Sequence, residues 1–131
     1  MKTLVVEDDF TSSLLLQEIL KRYGTAHTAL NGQQAVEAVG TAIDSGEPYD
    51  LICLDIMMPE MDGHEALQQI RALEESKGII AIKGAKIIMT TALDDSTNIL
   101  ASFKSSCDVY LTKPVDKAKL LGELRKLKLI E

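Results

Sequence analysis

The residues best suited to chemistry in this sequence are polar side chains that follow short apolar runs. They are Glu7, Asp8, Asp55, Thr91 and Lys113. Carboxylates bind cations, a lysine ammonium binds anions, and a threonine hydroxyl donates hydrogen bonds to oxygen atoms. If the fold brings these groups together, they predict chemistry on a charged substituent such as a phosphoryl group.

Short apolar segments alternate with segments of helical periodicity along the whole chain. The predicted strands are Leu4–Val6, His27–Leu30, Leu51–Leu54, Ile87–Met89 and Val109–Leu111. The predicted helices are one that carries Leu15, Leu16, Ile19, Leu20 and Tyr23 and ends before Gly24, then about Gln33–Ser45, His64–Ser76, Ser96–Ser105 and Asp116–Leu127. This alternation predicts an α/β doubly wound fold, in which a five-stranded parallel sheet has helices on both faces.

The connection Glu74–Gly84 is longer than the two to six residues that are usual between a helix and a strand. It contains Ile79, Ile80 and Ile82 between two glycines. Two interpretations stay open on the sequence: the third helix continues into this segment, or the segment folds locally.

The polar residues named above are expected to meet, because the carboxyl ends of parallel strands lie along one edge of a sheet, where open α/β proteins bind ligands. Glu7, Asp8 and Asp55 would repel one another there without a cation. An all-oxygen cluster suits Mg²⁺ better than zinc, which favours histidine and cysteine. Asp55 stands alone at its strand end, so it is predicted as the nucleophile that accepts a phosphoryl group.

Composition narrows the classes of function. The chain of 131 residues is expected to be a single domain (1–131), and its 14 basic and 20 acidic side chains give a net charge of −6. That charge argues against binding nucleic acid or an anionic membrane. The two cysteines, Cys53 and Cys107, have neither the number for a disulfide scaffold nor the spacing of a metal site. No apolar run is long enough for a membrane span or a secretory signal, so a cytoplasmic location is expected.

Four motifs carry a resemblance to a known family. They are Val5-Val6-Glu7-Asp8-Asp9, the segment Leu54–Gly63, Thr91-Ala92 and the segment Tyr110–Pro114. In this order, and at strand ends, the motifs resemble those of response-regulator receiver domains of the two-component family, in particular single-domain chemotaxis regulators. The resemblance extends over essentially the whole chain and implies the strand order 2-1-3-4-5. One departure is Ser106, which stands where the family usually has glycine.

The resemblance also implies which residues form the phosphorylation site. Asp55 would be the phosphoacceptor, and Asp8 and Asp55 would bind Mg²⁺ directly. Glu7 would act on the ion mainly through water, and the backbone carbonyl of Met57 would be a further ligand. Mg²⁺ is the only cofactor expected.

The other implied roles concern the phosphoryl group and the response to it. Thr91 and Lys113 would bind phosphoryl oxygens, and Thr91 and Tyr110 would form a switch that changes the surface of the fourth helix, fifth strand and fifth helix. The implied partners are a sensor histidine kinase or a histidine phosphotransfer protein, and a downstream protein that the sequence does not identify. The domain would be a monomer or a weak phosphorylation-dependent dimer, without direct nucleic acid or membrane binding. It would not be an enzyme beyond intrinsic self-phosphorylation and self-dephosphorylation.

Three alternatives belong to other functional classes. An aspartyl-phosphate hydrolase needs a second acid two residues after its nucleophile, and that position is Met57. A flavodoxin-like cofactor binder needs a phosphate-binding loop after the first strand, where Glu7-Asp8-Asp9 would repel a phosphate. A degenerate receiver that only binds partners is disfavoured by the complete set of acids, hydroxyl and lysine. The sequence leaves open whether the chain stands alone or is part of a longer protein.

Overall fold

The sheet has the predicted topology. The computed structural model of the chain describes residues 1–58, 60–80, 83–91 and 107–131. Within them, the five parallel strands lie in the order β2-β1-β3-β4-β5. The strands are β1 (Thr3–Val6), β2 (Ala26–Ala29), β3 (Leu51–Asp55), β4 (Lys86–Thr91) and β5 (Val109–Thr112). The α/β class and the strand order are therefore confirmed.

Four α-helices lie within the described residues. They are α1 (Phe10–Leu20), which continues into a short 3-10 helix (Lys21–Tyr23), α2 (Gly32–Asp44), α3 (Gly63–Ser76) and α4 (Lys117–Lys126). The predicted helix Ser96–Ser105 lies outside the described residues, as do Pro59, Leu93 and Ser106. No described helix is long and apolar enough to cross a membrane.

Helix starts are set by polar caps rather than by the first apolar residue of each periodic segment. The N-cap residues are Asp9, Asn31, Asp62 and Asp116, and each side chain accepts a hydrogen bond from a backbone N–H two or three residues further on. Such caps satisfy donors that would otherwise lack a partner in the first helical turn. Asp116, the first residue of the last predicted helix, is thus the N-cap of α4, and α1 begins well before the first apolar residue of its predicted segment.

Each face of the sheet has its own hydrophobic core. The core toward α2 and α3 contains the strand residues Leu4, Val6, Ile52, Leu54, Ile87 and Met89. The core toward α1 and α4 contains the strand residues Val5, Leu51, Cys53 and Ile88. Because successive side chains of a strand point to opposite faces, covering both faces requires strands that are apolar at every position. This is why the predicted central strands are continuous apolar runs, whereas β2, at one edge of the sheet, has exposed polar residues at His27 and Thr28.

The long connection after α3 folds locally. The helix ends at Ser76, and Gly78 has a φ of 79°, the left-handed conformation that commonly ends a helix. The buried carboxylate of Glu74 accepts a hydrogen bond of 2.8 Å from the backbone N–H of Ala85. A Cβ atom on Gly84 would lie 2.6 Å from that carboxylate, so any larger residue would require the Glu74 side chain to move. The interpretation that α3 continues into this segment is therefore wrong; residues 81–82 lie outside the described part.

Candidate functional site

Three carboxylates meet at the carboxyl edge of the sheet. Val6, the last residue of β1, pairs with Leu54, so the chain leaves β1 directly beside Asp55 at the end of β3. One carboxylate oxygen from each of Glu7, Asp8 and Asp55 lies within 4.8 Å of the other two. The pairing of β1 with β3 is thus what brings together residues that are far apart in the sequence.

The three acids differ in burial. Glu7 and Asp55 are 1% and 3% exposed, whereas Asp8 is exposed to solvent. The backbone N–H of Asp9 donates a hydrogen bond of 3.1 Å to Oε1 of Glu7 and holds that carboxylate inward. Two buried negative charges are unfavourable unless positive groups compensate them.

Lys113 supplies one compensating charge. Its Nζ lies 2.7 Å from Oε2 of Glu7 and 3.2 Å from Oδ1 of Asp55. Burial alone would lower the pKa of Lys113, but the hydrogen bond to Glu7 and the negative charges of Asp55 and Glu7 outweigh it and raise the pKa above its usual value. The side chain is therefore held as a cation between the two buried acids.

One lysine does not neutralise this cluster. Burial raises the pKa of Asp55 to about 7, and the negative charge of Glu7 adds to this, although Lys113 acts in the opposite direction. An ionised Asp55 therefore needs further positive charge at neutral pH. Oxygen ligands on three side chains, one of them open to solvent, fit Mg²⁺, which binds through a few carboxylates and keeps several waters. The residues present thus fit the expected ion.

The remaining predicted residues lie around this cluster. The backbone N–H of Met57 donates to Oδ1 of Asp55 at 3.2 Å, while its side chain is 61% exposed. Thr91 is buried at the end of β4, next to Thr90, the residue that pairs with Asp55. Tyr110 lies on β5 and packs against the core toward α2 and α3. Lys113 follows β5, and the peptide bond between Lys113 and Pro114 is cis.

Two features of the site were not predicted from the sequence. One is the ion pair of Lys113 with Glu7, since the sequence suggested only a contact with an anion. The other is the exposed apolar surface of α1, where Phe10 is 76% exposed and Leu14, one turn later, is 44% exposed. An apolar residue directly after three acids was the available signal for this surface.

A family model described as the response regulator receiver domain matches residues 3–125. The chain belongs to this family. Receiver domains are phosphoacceptor domains of two-component signalling and not classical enzymes. The family membership predicted from the four sequence motifs is thereby confirmed.

Two curated relatives show the range of proteins that contain such a domain. The two-component response regulator ORR41 of Oryza sativa is 31% identical over 98% of this chain and 95% of its own length. The hybrid signal transduction histidine kinase L of Dictyostelium discoideum is 31% identical over 95% of this chain, which spans only 7% of that kinase. This receiver domain therefore resembles both a nearly whole relative and a small part of a much longer one.

Two solved structures share its fold. The receiver domain of the histidine kinase CKI1 from Arabidopsis thaliana, complexed with Mg²⁺ and BeF₃⁻, is 28% identical, with a TM-score of 0.79 over 97% of this chain and 89% of that one. The receiver domain of Ssk1 from Saccharomyces cerevisiae, in a co-crystal with the histidine phosphotransfer protein Ypd1, is also 28% identical, with a TM-score of 0.78 over 97% and 88% of the two chains.

Proposed function

We propose that this receiver domain takes a phosphoryl group from a phosphohistidine of a partner protein onto Asp55. The observation that carries the proposal is the placement of Asp55, which lies buried in a cluster with Glu7 and Asp8 and in contact with Lys113. The binding of Mg²⁺ and BeF₃⁻ by the CKI1 receiver domain supports the same chemistry.

The transfer forms one bond and breaks one. A carboxylate oxygen of Asp55 attacks phosphorus, the P–N bond to the histidine breaks, and the imidazole leaves with the electron pair of that bond. Asp8 and Asp55 would hold Mg²⁺ directly, Glu7 mainly through water, and the backbone carbonyl of Met57 as a further ligand; the ion would neutralise charge on the phosphoryl oxygens.

Lys113 and Thr91 act on the transferred group. The ammonium of Lys113, already 3.2 Å from Oδ1 of Asp55, pairs with a phosphoryl oxygen, and the hydroxyl of Thr91 donates to another. This charge-assisted pairing shifts an existing two-state equilibrium in which Thr91 and Tyr110 change position. Tyr110 lines a cavity of about 510 Å³ between β5 and α4, so a movement of its ring changes this surface. The predicted contribution of the helix Ser96–Ser105 to the same surface stays a prediction.

The phosphodonor would be a sensor histidine kinase or a histidine phosphotransfer protein that docks on α1. Phe10, Leu14 and Leu15 are exposed apolar residues of the first two turns of α1, directly after the acidic residues of the site. Exposed apolar surface next to a reacting group is typical of a protein-binding site. The co-crystal of Ssk1 with Ypd1 supports a phosphotransfer protein as partner. The downstream partner is a protein, and the domain acts as a monomer or a weak phosphorylation-dependent dimer.

The test is phosphorylation by a small phosphodonor with Mg²⁺, read by intact mass. Wild type is expected to gain the mass of one phosphoryl group, and the gain is expected to disappear without Mg²⁺ and in Asp55→Asn, since an amide is not a nucleophile. Asp50→Asn, an exposed aspartate at the other end of β3, is the matched control and is expected to react like wild type. Full labelling of Asp55→Asn would contradict the assignment.

A further inference from the structure

The position of Lys113 depends on the register of β5 on β4. β5 is a strand of four residues at the edge of the sheet, and none of its residues is fully buried. It reaches the strand of Asp55 only through β4, since Asp55 pairs with Thr90 and Thr90 pairs with Leu111. A slip of one residue would turn every β5 side chain to the opposite face of the sheet. Short, partly exposed strands rely on a few contacts to prevent such a slip.

Asp108, the residue before β5, provides two such contacts. Its backbone N–H donates to the carbonyl of Ile87 at 2.9 Å, and its Oδ2 accepts from the N–H of the same Ile87 at 2.8 Å. Because both bonds join the same two residues, any slip of β5 would break both of them. At the far end of the pairing, the N–H of Lys113 donates to the carbonyl of Thr91 at 2.7 Å.

Arg71 of α3 supports the carboxylate of Asp108 from the other side. Its Nη1 donates to Oε1 of the buried Glu74 at 2.7 Å and to the carbonyl of Ala85 at 2.9 Å. Its Nη2 lies 3.5 Å from Oδ2 of Asp108. The guanidinium therefore joins α3, the segment before β4 and the start of β5.

We propose that Asp108 is a positioning residue of the phosphoryl site, which it serves by fixing the register of β5 and thereby the places of Lys113 and Tyr110. It lies five residues before Lys113, about 16 Å along an extended strand, and touches none of the reacting groups. The proposal rests on the proposed function, because it assigns Lys113 to the phosphoryl group. Misplacement of a positioning group by about 1 Å can cost a hundredfold in rate.

The experiment compares Asp108→Ala with Asp108→Asn. Asparagine keeps an oxygen that accepts from Ile87, and alanine does not. With a small phosphodonor and saturating Mg²⁺, we expect Asp108→Ala to be phosphorylated about tenfold to a hundredfold more slowly than wild type and Asp108→Asn to recover most of the rate. Mg²⁺ affinity should stay within about twofold, because the acids that bind it follow β1 or end β3 and do not lie on β5. Asp44→Ala, which breaks an exposed ion pair with Lys77, is the control.

A second readout does not depend on phosphorylation. Amide exchange at Lys113 reports its bond to Thr91 and is expected to be faster in Asp108→Ala than in Asp108→Asn. If Asp108→Ala does not fold, Asp108→Gln, whose longer side chain misplaces the acceptor, takes its place. The proposal would be overturned if Asp108→Ala were phosphorylated at the wild-type rate, or if amide exchange at Lys113 were equal in the two variants. It would also be overturned if phosphorylation rate, Mg²⁺ affinity and thermal stability fell together. Absence of labelling in wild type would instead contradict the proposed function, while the exchange result would still decide the register.

Discussion

The ammonium of Lys113 lies closer to Glu7 than to Asp55, at 2.7 Å from Oε2 of the first and 3.2 Å from Oδ1 of the second. Glu7 therefore contributes to the site in two ways: its charge adds to the field that attracts a cation, and its carboxylate holds the lysine beside the proposed acceptor. Both contributions require the negative charge of Glu7. Replacement by glutamine removes that charge and keeps the size of the side chain.

Glu7→Gln is expected to weaken Mg²⁺ binding by about tenfold to a hundredfold, the range found when a supporting carboxylate near a metal is lost. The measurement is a Mg²⁺ titration followed by tyrosine fluorescence, since the chain has three tyrosines and no tryptophan. Glu37→Gln, an exposed acid of α2, is the control. An unchanged dissociation constant in Glu7→Gln would exclude Glu7 from the cation site.

Lys113→Met is expected to fold and to bind Mg²⁺, because it removes a positive charge from the cluster and leaves the three acids in place. Phosphorylation of this variant should no longer change amide exchange in β5 and α4, since the ammonium that pairs with the phosphoryl oxygen is missing. Exchange changes of wild-type size would show that the lysine only balances charge.

Substitutions of Gly84 and Gly122 by alanine are expected to change the free energy of unfolding in opposite directions. A Cβ on Gly84 would meet Oε1 of Glu74 at 2.6 Å, so Gly84→Ala is expected to lower the free energy of unfolding by about 1–3 kcal/mol through overpacking. A Cβ on Gly122, within α4, would meet nothing within 4 Å, so Gly122→Ala is expected to raise it by up to about 1 kcal/mol through helix propensity. Urea unfolding of both variants checks the signs, and a stabilising Gly84→Ala would contradict the described contact with Glu74.

The two cysteines should differ in reactivity. Burial raises the pKa of Cys53 to about 12, and burial also raises the pKa of the half-buried Cys107. Ellman's reagent at pH 8 is expected to modify Cys107 slowly and Cys53 only after unfolding. Because the thiol of Cys53 ionises near its ordinary pKa of 9.0 in the unfolded chain, its contribution to stability is full below pH 9 and is lost as the pH rises toward 12. Rapid modification of both thiols in the native protein would contradict the burial of Cys53.

The sheet and the acidic cluster could be predicted from the sequence because both follow from local patterns. Apolar runs such as Leu51–Leu54 identify strands covered on both faces, and parallel strands bring Glu7 and Asp55 to one edge without further information. The strand order came from the family resemblance, since the pattern of elements alone allows others.

Contacts between distant side chains could not be predicted in the same way. Glu74 lies on the buried face of α3, four residues after Ile70, but a glutamate at such a position does not reveal its partner. Only the approach of Gly84 and Ala85 shows what its carboxylate contacts. The two hydrogen bonds between Asp108 and Ile87 likewise depend on the register of β5 on β4, which no local sequence pattern determines.

The lifetime of the phosphoryl group on Asp55 should depend on the side chain of Met57. Met57 follows Asp55 by two residues, a position that by resemblance to the family flanks the path of the water that attacks the phosphoryl group. Its side chain is 61% exposed, so it stands at the surface of the site instead of packing inside. A thioether gives an attacking water no useful hydrogen bond, whereas a polar side chain would orient it. By the same resemblance, Leu93, two residues after Thr91, flanks this path with an apolar side chain. We therefore expect the phosphoryl group to last minutes or longer, and Met57→Asn/Leu93→Glu to shorten its lifetime without changing Mg²⁺ affinity. The measurement is the rate at which wild type and the double variant lose the phosphoryl mass after the donor is removed. Leu30→Asn, at a residue that is also 61% exposed, is the control and is expected to decay like wild type. Decay of wild type within seconds, or a double variant that decays no faster, would exclude Met57 from control of the lifetime.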